Sequence, residues 1–336
     1  MDWFERLTGF REAGYDDARR RLGVDGGRLR SHVNGKSYAI GQLELVSLQT
    51  LRERVHAGSP PGRTTVRVVT GDVRRLHQLP EYAGALFQVA SQFNLLEMVS
   101  PEVTPEHGVT CYQHDRTQGP ACAIAAGAAT IYRNYFVPVG DGVGQTSERQ
   151  LDGLADLGAA LAKALGESVD ALWTMRNGYA LCTDTGLDAI TRHLASLTPE
   201  QTDVLRGMLR IGVHQNVEVT DGDGVDSPIV SQAFCSALPV AYSHVSRARW
   251  QSFASLVLES AYEATLWAAV DNAQRGGTNI VLLTRLGGGA FGNDDDWIEA
   301  AMRRALRQAV EMDLDVRLVS YGPPSRALLQ LAAEHA

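Results

Sequence analysis

The segment between residues 250 and 283 constrains the fold of this chain more than any other. Its first part places apolar side chains at steps of four and three, which predicts a long amphipathic helix over Trp250–Val270. After Gly276 and Gly277 comes a near-continuous apolar run, Asn279–Leu283, of the type found in strands that are buried on both faces. A strand of this type needs a helix layer on each side, so the segment predicts an α/β fold.

Strand-like and helix-like segments alternate along the rest of the chain after Thr64. The strand-like segments are Thr65–Val69, Ala85–Ala90, part of Met208–Val219, Asn279–Leu283 and Asp315–Ser320. The helix-like segments are Gln118–Tyr132, Leu151–Leu165, Gln201–Leu209, Trp250–Val270 and Trp297–Met312. This alternation predicts a mixed, mostly parallel sheet with helices on both faces.

A break near residue 60 separates this pattern from the start of the chain. The sequence GSPPGR at residues 58–63 has two adjacent prolines between glycines, which is typical of a loop. We therefore divide the chain into an N-terminal extension of helices and a strand, residues 1–60, and an α/β domain, residues 61–336. With 44% apolar and 21% charged residues, the chain has the composition of a globular protein with a sizeable core.

Composition and charge exclude several classes of protein. A formal net charge of −8 without a basic stripe argues against a nucleic-acid partner. The candidate membrane span Ala121–Ile131 is far shorter than the roughly 20 residues required, and the N-terminus lacks the apolar stretch of a secretory signal. The four cysteines have no metal-site spacing, so we expect reduced thiols in a cytoplasmic protein without metal or cofactor. The oligomeric state stays open.

A glycine-rich loop follows the buried strand and precedes an acidic helix start. Consecutive glycines let backbone N–H groups point into one concavity, and no Cβ blocks a ligand, so the loop suits a diphosphate. The alternative is a tight turn followed by an aspartate that caps the next helix. The residues that we expect to contact a ligand here are Gly287, Gly288, Gly289, Ala290, Phe291, Gly292 and Asn293.

Two further segments precede this loop in the chain. The first runs from a strand through the turn Gly71-Asp72-Val73 into a second strand, which we expect to end at Asn94. The second segment opens a helix of small residues and begins at Thr117. The helix begins with Gln118, Gly119, Pro120, Ala121 and Cys122, and it is the resemblance described next that makes them candidate ligand-binding residues.

In this order the three segments resemble macrodomains, a superfamily of ADP-ribose-binding α/β domains. The resemblance implies that Asp72, with Val73 beside it, binds the adenine amino group and that Asn94 lies beside the distal ribose. Residues 118–122 then match the first glycine-rich loop, and residues 287–293 match the second phosphate loop, with Phe291 near the distal ribose.

The chain also departs from the common macrodomain pattern. Gln118-Gly119-Pro120 stands where three glycines are usual, and the insertion Leu95–Arg116 is long. The pair of glutamates that follows the loop in the poly(ADP-ribose) glycohydrolase type is missing, so the mechanism of that type does not transfer. The whole set instead resembles the MavL-type hydrolases, which remove ADP-ribose from arginine, including modified arginine in ubiquitin.

The resemblance predicts a hydrolase that recognises ADP-ribose on ADP-ribosylated protein and cleaves its N-glycosidic bond to arginine. Two alternatives remain at this point. The chain could be a reader that binds ADP-ribose without catalysis. It could also process a free ADP-ribose derivative, such as a phosphate or an acyl ester.

A cluster of aspartates after the strand within residues 208–219 supplies candidate catalytic groups. Hydrolysis needs a base for water and a group that stabilises an oxocarbenium-like centre, and carboxylates serve both roles. We therefore predict that Asp221, with Asp226 or Asp223, forms the acid/base centre. The alternative is a solvated turn, and the spacing of a calcium loop is absent. His214 lies within the strand and is expected to be a core residue.

Overall fold

The computed structural model describes residues 1–56, 62–222 and 227–335. Its centre is a seven-stranded sheet in which four neighbouring pairs are parallel and two pairs are antiparallel. The strands are β1 (Leu22–Asp25), β2 (Arg28–Ser31), β3 (Ser37–Ala39), β4 (Gln42–Ser47), β5 (Thr65–Thr70), β6 (Leu86–Ala90), β7 (Pro138–Val139), β8 (Gly142–Val143), β9 (Trp173–Arg176), β10 (Tyr179–Cys182), β11 (Arg210–Glu218), β12 (Ile229–Cys235), β13 (Ile280–Leu283) and β14 (Asp315–Ser320). The order in the central sheet is β4-β11-β12-β6-β13-β14-β5, with β11 antiparallel to both of its neighbours.

Helices cover both faces of this sheet, as the sequence predicts for an α/β fold. They are α1 (Trp3–Thr8), α2 (Tyr15–Arg21), α3 (Leu48–His56), α4 (Val73–Leu76), α5 (Gln118–Ala125), α6 (Gly127–Tyr135), α7 (Ala155–Leu165), α8 (Val169–Leu172), α9 (Asp184–Ser196), α10 (Pro199–Met208), α11 (Arg247–Gln274), α12 (Asp295–Gln308) and α13 (Arg326–Ala333). Short 3₁₀ turns lie at Pro80–Tyr82, Pro105–His107, Thr110–His114 and Val240–Tyr242.

The alternation of side chains along β13 divides the core between the two faces. Val281 and Leu283 join the core that contains α11 and α12, whereas Leu282 joins the core formed with α4, α5 and α6. All three side chains are buried. The predicted strand buried on both faces is therefore confirmed, and so is the predicted class of mixed, mostly parallel sheet.

The residues of the predicted extension lie in two places. Helices α1 and α2 and the three-stranded sheet β1-β2-β3 pack in a separate core against α6, with Trp3, Phe4 and Leu29 buried there. Strand β4 instead forms an edge of the central sheet by pairing with β11, and α3 packs into the main core. The division at residue 60 stays a prediction.

Several element boundaries differ from those predicted. The helix predicted over 118–132 is two helices, because Thr220 inserts at the junction: its N–H donates to the Ala125 carbonyl and its Oγ1 accepts from Gly127 N–H. Strand β6 ends at Ala90 rather than at Asn94, and the chain then turns at Leu95, whose φ is 64°. Helix α11 is longer than predicted, Arg247–Gln274.

Candidate functional site

Two adjoining cavities lie at the carboxyl ends of the parallel strands. In open α/β sheets this edge is the usual place of a ligand. The inner cavity, of about 150 Å³, begins beside Ala90 at the end of β6, and the outer cavity, of about 420 Å³, begins beside Gly71 after β5. Both are lined by Asp115, Thr117 and Gln118, so they form one elongated groove. We call the whole feature the groove.

The N-terminus of α5 lies at the middle of the groove. Gln118 fixes it to the end of β6, because its Oε1 accepts from Ala90 N–H at 2.8 Å and its Nε2 donates to the Gln88 carbonyl at 2.8 Å. The Thr117 side chain does not cap the helix. The first N–H groups of α5, from Gln118 and Gly119, are thus left for a ligand, and the helix dipole favours an anion there.

The glycine-rich loop borders the inner cavity through Gly287, Gly289, Ala290 and Phe291. Gly287 has a φ of 75°, which favours glycine, and the carbonyl of Gly287 accepts from Asn293 N–H to close the turn. In the described part of the chain, the N–H groups of Gly289, Ala290 and Phe291 have no acceptor. The residues that carry these donors line the same cavity as the start of α5, an arrangement that suits a diphosphate.

The outer cavity is bordered by the turn after β5. Asp72 caps α4, with its carboxylate accepting from Arg74 N–H at 2.9 Å. Asp72 and Val73 line the cavity together with Ala121 of α5. The structure therefore brings Asp72, the candidate adenine contact, into one groove with both candidate phosphate loops.

Three aromatic rings line the far end of the inner cavity. Phe291 packs at 5.2 Å from Tyr179 and 5.8 Å from Tyr242, measured between ring centroids. Tyr179 donates from its hydroxyl to the Met98 carbonyl at 2.6 Å, and burial raises its pKa above the usual value. The three rings form an apolar wall of the cavity, and their mutual packing fixes their orientation.

A buried carboxyl group, Glu97, reaches the same cavity. Its side chain is 1% exposed, and Oε1 lies 3.4 Å from the Arg133 guanidinium. Burial raises the pKa of Glu97 to about 7, while Arg133 opposes that shift. Burial also lowers the pKa of Arg133, which stacks over the Phe234 ring at 3.8 Å. A carboxyl group poised near neutral pH is a common feature of catalytic sites.

Several predicted site residues lie next to the groove without lining it. Asn94 is fully buried, and its amide donates to Gln150 and accepts from Leu96 N–H. Cys122 is buried beneath Gln118, and burial raises the pKa of its thiol well above the usual value. The remaining members of this group shape the glycine-rich loop from outside the cavity and are Gly288, Gly292 and Asn293.

Asp221 does not line the groove, although its ion-pair partner Arg74 lines the outer cavity. Its carboxylate forms a two-point ion pair with Arg74 and accepts from the Gln78 amide at 3.2 Å. Asp221 instead borders a separate cavity beside the N-terminal residues, with Arg6 at 3.5 Å. The other two predicted catalytic residues, Asp223 and Asp226, lie outside the described residues. An acid/base role for Asp221 stays a prediction from the sequence.

His214 is a core residue, as predicted from the sequence. The ring is fully buried between Tyr132 and Phe234, and burial lowers its pKa to about 3. Within residues 1–56, 62–222 and 227–335, no group of three histidine, cysteine or acidic side chains could hold a metal ion. No helix in the same residues is long and apolar enough to cross a membrane.

Sequence reasoning missed several residues of the groove. Glu97 could have been noticed as the one acid in the apolar run FNLLEM at residues 93–98. Asp115 lines both cavities from the end of the insertion, and its Oδ1 accepts from Thr117 N–H at 2.8 Å. Tyr179 and Tyr242 carry no local signal, because only the tertiary fold brings them to Phe291.

Comparison with solved structures found poly(ADP-ribose) glycohydrolases. The enzyme from Deinococcus radiodurans in complex with ADP-ribose is 14% identical, with 87% of this chain and 93% of that chain covered and a TM-score of 0.45. The enzyme from Thermomonospora curvata is 13% identical, with 92% and 94% covered and a TM-score of 0.46. No protein-family profile and no curated protein sequence matches the chain.

Proposed function

We propose that this protein binds ADP-ribose in the groove as a macrodomain-like domain and hydrolyses the bond between ADP-ribose and a protein side chain. The observation that carries the proposal is the pair of N–H donor sets, one at the start of α5 and one at Gly289–Phe291, that border the same inner cavity. A diphosphate placed between them would accept hydrogen bonds from both.

The two ends of the groove support a direction for the ligand. Adenine would lie in the outer cavity, where the Asp72 carboxylate can accept from its amino group. The distal ribose would then lie in the inner cavity, beside Phe291 and the carboxyl group of Glu97. This direction places a titratable group near the anomeric carbon, where hydrolysis needs one.

Arginine is the modified side chain that we propose. Asp115 is a half-buried carboxylate that lines the inner cavity and forms no ion pair within the described residues. The guanidinium of ADP-ribosyl-arginine is cationic and would gain a charge-assisted hydrogen bond from Asp115. Arginine-modified ubiquitin belongs to this substrate class.

Two measurements test the proposal. Calorimetry with ADP-ribose, ADP and AMP should show micromolar affinity for ADP-ribose and weaker binding as the distal ribose and the phosphate are removed. Release of ADP-ribose is then followed from arginine-, serine- and glutamate-modified protein. Absence of heat and of a thermal shift at millimolar ADP-ribose would reject binding, and release from serine-modified protein alone would reject the arginine substrate.

A binding-only reader is the second candidate. The observation that favours it is the exposed fraction of the Glu97 side chain, 1%, which leaves little of the carboxyl open to solvent. Micromolar binding without release of ADP-ribose from any of the three modified proteins would support this candidate. Release from free ADP-ribose esters or phosphates would instead support processing of a free derivative.

A further inference from the structure

We infer that Glu97 is the general base of the proposed hydrolysis and that Arg133 is the residue that positions its carboxylate. The inference rests on the proposed function. It assigns the chemistry to a glutamate that precedes α5 in the chain and lies on the floor of the inner cavity.

The backbone around Glu97 fixes its side chain beside the start of α5. The turn at Leu95 redirects the chain after β6, and Glu97 N–H donates to the Tyr112 hydroxyl at 3.1 Å. The Cγ of Glu97 lies 3.2 Å from the position that a Cβ on Gly119 would take. The side chain of Glu97 therefore lies against the same helix turn whose N–H groups would hold the diphosphate.

Arg133 holds one carboxyl oxygen and leaves the other free. Its Nη2 lies 3.4 Å from Glu97 Oε1, while Oε2 has no hydrogen-bond partner in the described part of the chain. Arg133 is itself fixed, because Nε donates to the Leu95 carbonyl at 3.1 Å and Nη2 donates to Thr130 Oγ1 at 3.1 Å. An unpartnered buried carboxylate oxygen is costly unless it serves a ligand.

The charges around Glu97 set when it can accept a proton. The neighbouring groups are the Arg133 guanidinium on α6, the Tyr112 hydroxyl, the Cys122 thiol on α5 and the Asp115 carboxylate, which lines the same cavity. Burial dominates and places the pKa of Glu97 at about 7. A base with a pKa near the working pH combines a deprotonated population with a strong pull on the proton.

The reaction step balances with these groups. A water molecule forms a bond to the anomeric carbon of the distal ribose and gives one proton to Glu97 Oε2. The bond from that carbon to the arginine nitrogen breaks, and its electron pair goes to nitrogen, which leaves a neutral guanidine. The guanidine then takes the proton from Glu97 and becomes guanidinium, so the carboxylate is regenerated and the products are ADP-ribose and arginine.

The test compares Glu97→Gln with Glu102→Gln in the full chain. Glu102 lies in the same insertion, but its side chain is 63% exposed and does not line the groove, so its variant is the matched control. For Glu97→Gln we expect turnover on arginine-modified protein to fall by about 10²–10⁴-fold, the usual worth of a general base. ADP-ribose affinity should stay within a few-fold in both variants, and Glu102→Gln should keep full turnover.

The pH profile separates a base from a structural residue. Wild-type turnover should rise as pH increases through about 7, because the deprotonated form of Glu97 is the active one. The residual activity of Glu97→Gln should lack that rise. If Glu97→Gln folds poorly, Glu97→Asp keeps the charge beside Arg133 but withdraws the carboxylate by one carbon, and we expect a similar loss of turnover with normal melting.

The outcomes are distinguishable. An active wild type whose folded Glu97→Gln or Glu97→Asp variant keeps full turnover overturns the inference and leaves the proposed function standing. A wild type that binds ADP-ribose but releases none from any substrate rejects the hydrolase and, with it, the base. A wild type that does not bind ADP-ribose rejects the proposed function at its first step.

Discussion

Gly119 lies so close to the end of β6 that a Cβ on it would overlap the carbonyl oxygen of Ala90. This oxygen is a backbone atom. The backbone of β6 is also held to α5, because the Gln118 side chain is hydrogen-bonded to Ala90 N–H and to the Gln88 carbonyl. Glycine at this position therefore permits the approach of α5 to β6 that places its first N–H groups in the groove.

Gly119→Ala should force α5 and β6 apart. We expect a loss of about 1–3 kcal/mol in the free energy of unfolding, the usual cost of overpacking, and weaker ADP-ribose binding. Urea denaturation and calorimetry measure the two effects. Gly289→Ala is the control for stability, because no atom lies within 4 Å of its added Cβ. Equal stability of the two variants would contradict the close approach.

A negative charge in the glycine-rich loop should repel the diphosphate. Gly289 is exposed and borders the inner cavity, so Gly289→Glu can fold normally while its carboxylate lies among the proposed phosphate donors. We expect ADP-ribose binding to be lost, and Gly289→Gln to retain much more of it, because glutamine adds similar bulk without charge. Calorimetry measures the ADP-ribose affinity of both variants. Equal affinities would contradict the binding of the diphosphate at this loop.

A comparison of two aspartates that cap helices distinguishes the effect of capping from the effect of ligand binding. Asp72 caps α4 and lines the outer cavity, whereas Asp294 caps α12 by accepting from Asp296 N–H at 3.0 Å and does not line the groove. Each alanine variant should lose about 1 kcal/mol of stability. Asp72→Ala alone should lose a further 1–3 kcal/mol, roughly, of ADP-ribose binding. Equal affinity in both variants would argue against adenine in the outer cavity.

Asp221→Ala distinguishes an ion pair from a catalytic group. Removal of the carboxylate leaves the half-buried Arg74 guanidinium without its partner, so we expect a loss of about 1–3 kcal/mol in the free energy of unfolding. Turnover per folded molecule should stay at the wild-type value, because Asp221 lies outside the groove. Turnover that instead falls by about 10²-fold or more, at unchanged stability, would support the predicted acid/base role of Asp221.

Two buried histidines should make the fold sensitive to acid. Burial lowers the pKa of His77 to about 4 and that of His214 to about 3, whereas an unfolded histidine has a pKa of about 6.5. Between these values the unfolded chain binds more protons, so stability present above pH 6.5 is lost as the pH falls. Glu97 acts in the opposite direction between about 4.5 and 7. Denaturation at several pH values should show that His214→Phe loses less free energy of unfolding than wild type as the pH falls.

The sequence predicts those parts of the fold whose signal is local. Strands β5, β13 and β14 and helix α11 are long or strongly apolar, and each lies where it is expected. The hairpin β9-β10 and helix α9 were not predicted, because short strands and a helix of mixed polarity have weak periodicity. The order of the strands required the tertiary structure.

The groove shows the same limit at the level of single residues. Of the two segments that border it, residues 287–293 are a local glycine-rich pattern and the start of α5 is a local run of small residues, so both could be located from the sequence. The pKa of Glu97 depends on burial and on Arg133, 36 positions away, so no local pattern predicts it. Likewise, no local pattern predicts that Arg74, 147 positions from Asp221, forms an ion pair with it.

At each edge of the central sheet, a strand from the early part of the chain pairs with a strand from a later part. Ser47 of β4 pairs with Arg210 of β11, and Thr65 of β5 pairs with Asp315 of β14. During synthesis, neither early strand has its neighbour until the ribosome has made most of the chain, and closing such long loops is slow. We therefore expect the first half of the nascent chain to expose two unpaired strands, β4 and β5. Folding of the sheet, and with it protection of these strands from aggregation, should begin only when the last strand has left the ribosome.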